Sequence, residues 1–137
     1  MRMKKLFVLV LATVMALTLA ACASHDYDDF EHIRNWSEFD DISEQETGLF
    51  FLYIYLEGCP ACREVKDDVF RFASGNKGNY SVYFIDGAEI SGEAPIDTGR
   101  YVPALIAIQD GERVDHVDSV MGVRNVIDSV EDETYAP

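Results

Sequence analysis

Residues 49–73, LFFLYIYLEGCPACREVKDDVFRFA, constrain what this chain can fold into more than any other stretch. Leu49 to Leu56 is almost continuously apolar and rich in aromatic residues, is too short for a typical helix, and ends at Glu57-Gly58. A run of that kind reads as a strand buried on both faces, which makes it central to a sheet covered by helices. From Pro60 the period changes: Cys62, Val65, Val69 and Phe72 or Ala73 fall on one helical stripe that stops at Ser74-Gly75-Asn76. The junction between strand and helix carries two thiols three residues apart, Cys59 and Cys62.

The rest of the chain supplies elements that fit around this pair. Ser37-Glu38-Phe39-Asp40 has the form of a capping box, in which a serine oxygen accepts from an orphan amide while the acid three residues on reaches back. It predicts a short helix to about Glu46, with Trp36, Phe39 and Ile42 on its buried side. Phe30 to Ile33 is expected to be a first strand, and Tyr80 to Ile85 another. With a helix between them, the strands at Leu49–Leu56 and Tyr80–Ile85 should lie parallel. Asp86 to Arg100, rich in Gly and Pro, reads as loop. Ala104 to Gln109 and Glu112 to about Ser119 form a hairpin around the two-residue turn Asp110-Gly111. Val123, Val126 or Ile127, and Val130 mark a closing helix. The chain contains no internal repeat and no second domain's worth of sequence.

The first 22 residues carry a different signal. Arg2, Lys4 and Lys5 precede 16 uncharged residues, Leu6 to Ala21, and Leu19-Ala20-Ala21-Cys22 closes the run with small residues before a cysteine. This is the pattern of a secretory signal, too short for a comfortable membrane span. Leu-Ala-Ala-Cys resembles a bacterial lipobox, which implies a signal peptide over residues 1–21, acylation of Cys22, and a lipidated tether over residues 22–29 ahead of a domain at 30–137. Cleavage would leave eight bases against 25 acids, a side-chain balance of −17. Such acidity makes nucleic acid a poor partner. Two acyl chains would hold the protein stably on the extracytoplasmic face of the cell membrane, where disulfides are permitted.

Acylation of Cys22 leaves Cys59 and Cys62 as the chemistry. Pro60 fits the first helical position, which puts Cys59 at the helix N-terminus, where orphan amides and the helix dipole favour a thiolate. Cys62 lies on the same side, shielded by the first turn, so that Cys59 attacks and Cys62 resolves the mixed disulfide. Glu57 opposes thiolate formation if it comes close, whereas Arg63 and Lys66 favour it. Three other readings of a C-x-x-C pair stand beside this one. Half a zinc site would need ligands from His25, His32 and His116. A binding module without redox turnover would carry copper in a trigonal site completed by His116 or His32, or dock a secretion partner. The third reading is a structural disulfide.

The central apolar strand, C-P-A-C, the helix, the second strand, Val102-Pro103 before a further strand and the Asp-Gly hairpin together resemble the thioredoxin-like superfamily over roughly Phe30 to Asp132. The resemblance implies an α/β three-layer sandwich with a mixed central sheet of four to five strands flanked by helices. It also implies a cis bond before Pro103, with Val102 offering its backbone to an incoming peptide beside Pro60 and Ala61. The sequence departs from thioredoxins proper, which carry Trp-Cys-Gly-Pro-Cys and a buried aspartate six residues before the first cysteine, where this chain has Tyr53. Proline after the first cysteine and valine before the cis-proline are more similar to glutaredoxins and periplasmic disulfide oxidases. Small lipid-anchored thioredoxin-like proteins, including bacteriocin transport accessory proteins, share this plain form. The resemblance therefore implies a thiol-disulfide oxidoreductase that uses no cofactor or metal beyond its own Cys59–Cys62 disulfide. Its expected partners are extracytoplasmic protein thiols or disulfides and a separate redox partner.

Overall fold

The computed structural model describes residues 25–75 and 77–137. The expected signal peptide at 1–21 and the expected lipidation site Cys22 lie outside the described residues. No helix among the described residues is long and apolar enough to cross a membrane. In chain order the elements are α1 (Ser37–Gln45), β1 (Phe50–Tyr55), α2 (Pro60–Gly75), β2 (Val82–Asp86), β3 (Ala104–Gln109), β4 (Glu112–Val117) and α3 (Val120–Glu131), preceded by one 3-10 turn at Tyr27–Asp29.

The strands form one mixed sheet in the order β2-β1-β3-β4. β1 pairs with β2 in parallel and with β3 antiparallel, so the most apolar strand has neighbours on both sides. All six of its residues are buried, and the pleat sends them to two separate cores. Phe51, Tyr53 and Tyr55 join Cys62, Val65, Val69 and Phe72 of α2 and Val123, Val126 and Ile127 of α3. Phe50, Leu52 and Ile54 join Trp36 and Phe39 with Ile106 and Ile108. One helix therefore covers one face and two cover the other, a three-layer sandwich. Arg124 of α3 ties the paired helices together, with Nε on Asp68 at 2.8 Å and Nη1 on Glu64 at 3.2 Å. Asp110 and Gly111, at φ +53° and +78°, make the primed turn that the right-handed twist of a two-residue hairpin needs.

The structure differs from the sequence expectations at three places, all before β1. The expected strand at Phe30–Ile33 is reduced to an isolated parallel bridge, His32 to Phe84, with a second bridge from Asn35 to Ser91, so the sheet has four strands. The expected capping box at Ser37 is absent: Asn35 Oδ1 accepts from Ser37 N at 2.9 Å, Glu38 Oε2 accepts from Arg34 N at 3.3 Å, and Trp36 takes the cap position without a side-chain bond. A capping box forms instead between Asp26 and Asp29, around the 3-10 turn. This turn falls in the stretch expected to be a tether, yet Tyr27 stacks on Tyr55 at 3.8 Å with its ring planes within 2°. Tyr27 and Phe30, three residues apart, share one side of this acidic segment and both pack on the core.

Candidate active site

The C-terminal end of β1 delivers the dithiol. Leu56 O accepts from Cys59 N at 3.2 Å, closing a turn whose third residue, Gly58, sits at φ +79° in the left-handed region that favours glycine. Cys59 O then accepts the first bond of α2, from Arg63 N at 3.1 Å, which makes Cys59 the cap residue and Pro60 the first helical residue. The sulfur does what a capping oxygen usually does: Cys59 Sγ accepts from Cys62 N at 3.2 Å.

The two thiols differ in exposure. Cys59 is half-buried and Cys62 is 1 % exposed, and both are free thiols. Burial, together with the hydrogen bond to Cys59, pushes the Cys62 thiol up to about 12. Cys62 therefore stays protonated at neutral pH behind Cys59. A group whose folded pKa is raised favours the fold below its ordinary value near 9.0, and this contribution disappears as pH rises toward about 12. Alkylation should follow the same order. At pH 8 iodoacetamide is expected to modify the half-exposed Cys59 and spare the buried, protonated Cys62. Modification of Cys62 should climb about tenfold per pH unit above that. Peptide mass mapping of the reduced protein reads both, and equal labelling at pH 8 would contradict the assignment.

Across from Cys59 stands the segment before β3. The Val102–Pro103 bond is cis, as the resemblance implied, and Pro103 is buried. Cys59 Sγ lies 3.9 Å from Val102 O, with its S–H directed to that carbonyl. β1 and β3 run antiparallel with Ile54 opposite Ala104, so the end of one strand and the start of the other meet at this edge. Pro60 is exposed and Ala61 partly so, beside the reactive sulfur. Cys59, Cys62, Val102, Pro103, Pro60 and Ala61 thus share one end of the sheet.

Behind the dithiol lie the aromatic hydroxyls of Tyr53 and Tyr27. Tyr53 is fully buried, and its hydroxyl interacts with the Tyr27 hydroxyl without a hydrogen bond of full geometry. Burial drives its pKa far above the ordinary tyrosine value, with the Tyr27 hydroxyl and both cysteines adding to the rise. Tyr27, half-buried, is pushed up to about 12, chiefly by burial and further by Cys62 and Cys59. Tyr27 therefore borders the site although the sequence places it in a tether. Lys66, expected from the sequence to favour the thiolate, is engaged elsewhere, 3.2 Å from Asp26 Oδ1 and 4.7 Å above the Tyr27 ring.

His32 and His25 are occupied away from the dithiol. His32 Nδ1 donates to Phe30 O at 3.0 Å, and its Nε2 lies 2.9 Å from Tyr55 Oη. His25 sits 3.6 Å from Asp29. Among the described residues no group of three or more His, Cys, Asp or Glu side chains is placed to hold a metal ion.

Comparison of the fold with solved structures finds thioredoxins. The thioredoxin of Fasciola hepatica superposes with a TM-score of 0.62 at 17 % identity, over 74 % of this chain and 99 % of that one. A point mutant of the Halobacterium salinarum thioredoxin gives 0.62 at 23 % identity over 84 % and 99 %, and the Plasmodium falciparum thioredoxin 0.62 at 18 % over 77 % and 99 %. The fold is thioredoxin-like, a mixed four-stranded sheet flanked by helices. No family model and no curated protein sequence matches the chain.

Proposed function

We propose that this protein is a thiol-disulfide oxidoreductase that exchanges disulfides with protein substrates through Cys59 and Cys62, and that it works outside the cytoplasm from a lipid anchor at Cys22. The observation that carries the reading is the asymmetry of the pair: a half-exposed Cys59 sulfur at the helix cap, 3.9 Å from the Val102 carbonyl, with a protonated, buried Cys62 behind it. The fold shared with thioredoxins agrees with it.

In the reducing direction the Cys59 thiolate attacks one sulfur of a substrate disulfide. The substrate S–S bond breaks, a Cys59–substrate disulfide forms, and the released substrate thiolate takes a proton. Cys62 then loses its proton and attacks Cys59 Sγ, freeing the second substrate thiol. The substrate gains two electrons and the protein is left with the Cys59–Cys62 disulfide. Oxidation of a dithiol substrate is the same sequence reversed, and the direction is set by the potential of the pair against that of its redox partner. The Val102 backbone, with Pro103, Pro60 and Ala61 around the sulfur, would receive the extended substrate chain. The lipobox-like Leu19-Ala20-Ala21-Cys22 supports the anchor and the extracytoplasmic address.

The purified domain, oxidised at Cys59–Cys62, is expected to transfer that disulfide to a reduced model protein, and the reduced domain to take one from an oxidised model protein. Acid-quenched thiol counting follows both reactions. Failure in both directions, with copper bound stoichiometrically after purification, would replace the reading with a metal-carrying module.

A further inference from the structure

We propose that Arg113 and His116 of β4 are positioning residues that clamp the strap at residues 97–101 and so fix Val102 beside Cys59; the proposal rests on reading the dithiol as an exchange site.

The device begins with a break in the ladder. Between β3 and β4 the register runs Ile106 to His116 and Ala107 to Asp115, then jumps to Ile108 opposite Arg113, so Val114 is an extra residue. In an unbroken ladder Arg113 and His116, three positions apart, would point to opposite faces. With the extra residue, both lie opposite isoleucines that belong to the α1-side core, Ile108 and Ile106. Asp115 keeps to the other face, where it accepts from Tyr135 Oη at 3.0 Å. The bulge therefore re-aims Arg113 onto the face that the strap crosses, while Val114 is left 41 % exposed.

Both side chains grip the strap. Arg113 Nη1 donates to Asp97 O at 2.8 Å and lies 3.1 Å from Asp97 Oδ2. Asp97 Oδ1 in turn accepts from Gly99 N at 3.0 Å. Gly99 rests on the His116 ring so closely that a Cβ there would stand 2.5 Å from Cε1 and 2.7 Å from Nε2. It also takes φ +76°, a second reason for glycine. His116 Nε2 is buried under it without a hydrogen-bond partner among the described residues, so the ring serves as a platform. Three residues after Gly99 comes Val102, whose carbonyl faces Cys59 Sγ. Loosening the strap frees the backbone that would pair with a substrate chain, but leaves the cysteines on their helix untouched.

Arg113→Met and Gly99→Ala test this. For a protein disulfide, KM is expected to rise about fivefold, the equivalent of one exposed ion pair of about 1 kcal/mol, with kcat little changed. Turnover of a small aromatic disulfide, which needs no strap, should stay within about twofold of wild type. Arg113→Lys, which keeps the charge beside Asp97, should recover most of the KM. Independently of catalysis, the amides of residues 99–102 in Arg113→Met should exchange with deuterium faster than in wild type, with the β1–β3 ladder unchanged. Equal losses on protein and small disulfides would overturn the proposal, as would unaltered strap exchange. If wild type exchanges no disulfide at all, the functional reading fails, and strap exchange alone still decides whether Arg113 clamps.

Discussion

Cys59→Ser abolishes disulfide exchange with a protein substrate, and Cys62→Ser accumulates mixed disulfides; these are the largest effects expected of any substitution in the chain. The asymmetry of the site requires both. Cys59 is half-exposed at the helix cap, whereas Cys62 is 1 % exposed and held protonated. A serine oxygen at residue 59 cannot form the covalent intermediate, so the rate should fall to that of the uncatalysed background. A serine at residue 62 leaves the first attack intact and removes the group that releases the substrate, so covalent adducts at Cys59 persist. Non-reducing electrophoresis and intact mass after acid quenching separate the two outcomes. Adducts trapped at residue 62 in Cys59→Ser would reverse the assigned roles.

Phe84→Ala should be the most destabilising single change near the site. Phe84 is fully buried on β2, and its ring lies 4.6 Å from Phe30, 5.6 Å from Tyr53, 5.8 Å from His32, 6.0 Å from Phe70 and 6.3 Å from Tyr27. It is the hub through which the segment before α1 meets the sheet, reinforced by the backbone pair Ile33 N to Phe84 O at 2.9 Å and Phe84 N to Glu31 O at 2.8 Å. Truncation removes ring contacts on every side and leaves a cavity that stacked neighbours cannot fill, a cost of about 3–5 kcal/mol. At about 4–8 °C per kcal/mol for a domain of this size, Tm should drop by at least about 12 °C. Thermal unfolding followed by circular dichroism measures it, and a loss under about 1 kcal/mol would show that the aromatic cluster is not the anchor of the N-terminal segment. Because Tyr27 belongs to that cluster, the variant should also expose the side of the site that Tyr27 covers, seen as faster alkylation of Cys62.

The elements with a strong repeating pattern are legible from residues alone. Leu49–Leu56 could only be a central strand, the stripe Cys62-Val65-Val69-Phe72 places α2, and Asp110-Gly111 sets the hairpin turn; each matches the fold within two residues or so. Local chemistry also places Cys59 at the cap, because proline tolerates the first helical position and little else inside a helix. Short segments without a period are less legible. Residues 30–35 hold their place through two isolated bridges and ring contacts, which leave no alternation to read. The acidic stretch around Tyr27 looks like solvent-exposed chain because composition averages over residues that point in different directions.

What the sequence determined by itself was the place of the candidate site, two thiols at a strand-to-helix junction, and the order of the elements. Each depends on neighbours within a few residues, where backbone sterics and hydrogen-bond reach are decided locally. What only the tertiary structure decided was the surroundings of those thiols. Tyr27 reaches the site from 32 residues before Cys59, Lys66 is drawn away to Asp26, and Arg113 meets Asp97 because one extra residue in β4 turns it to the other face. Such contacts join parts of the chain that are distant in sequence, and they form only because burying the apolar faces of β1 on both sides brings those parts together.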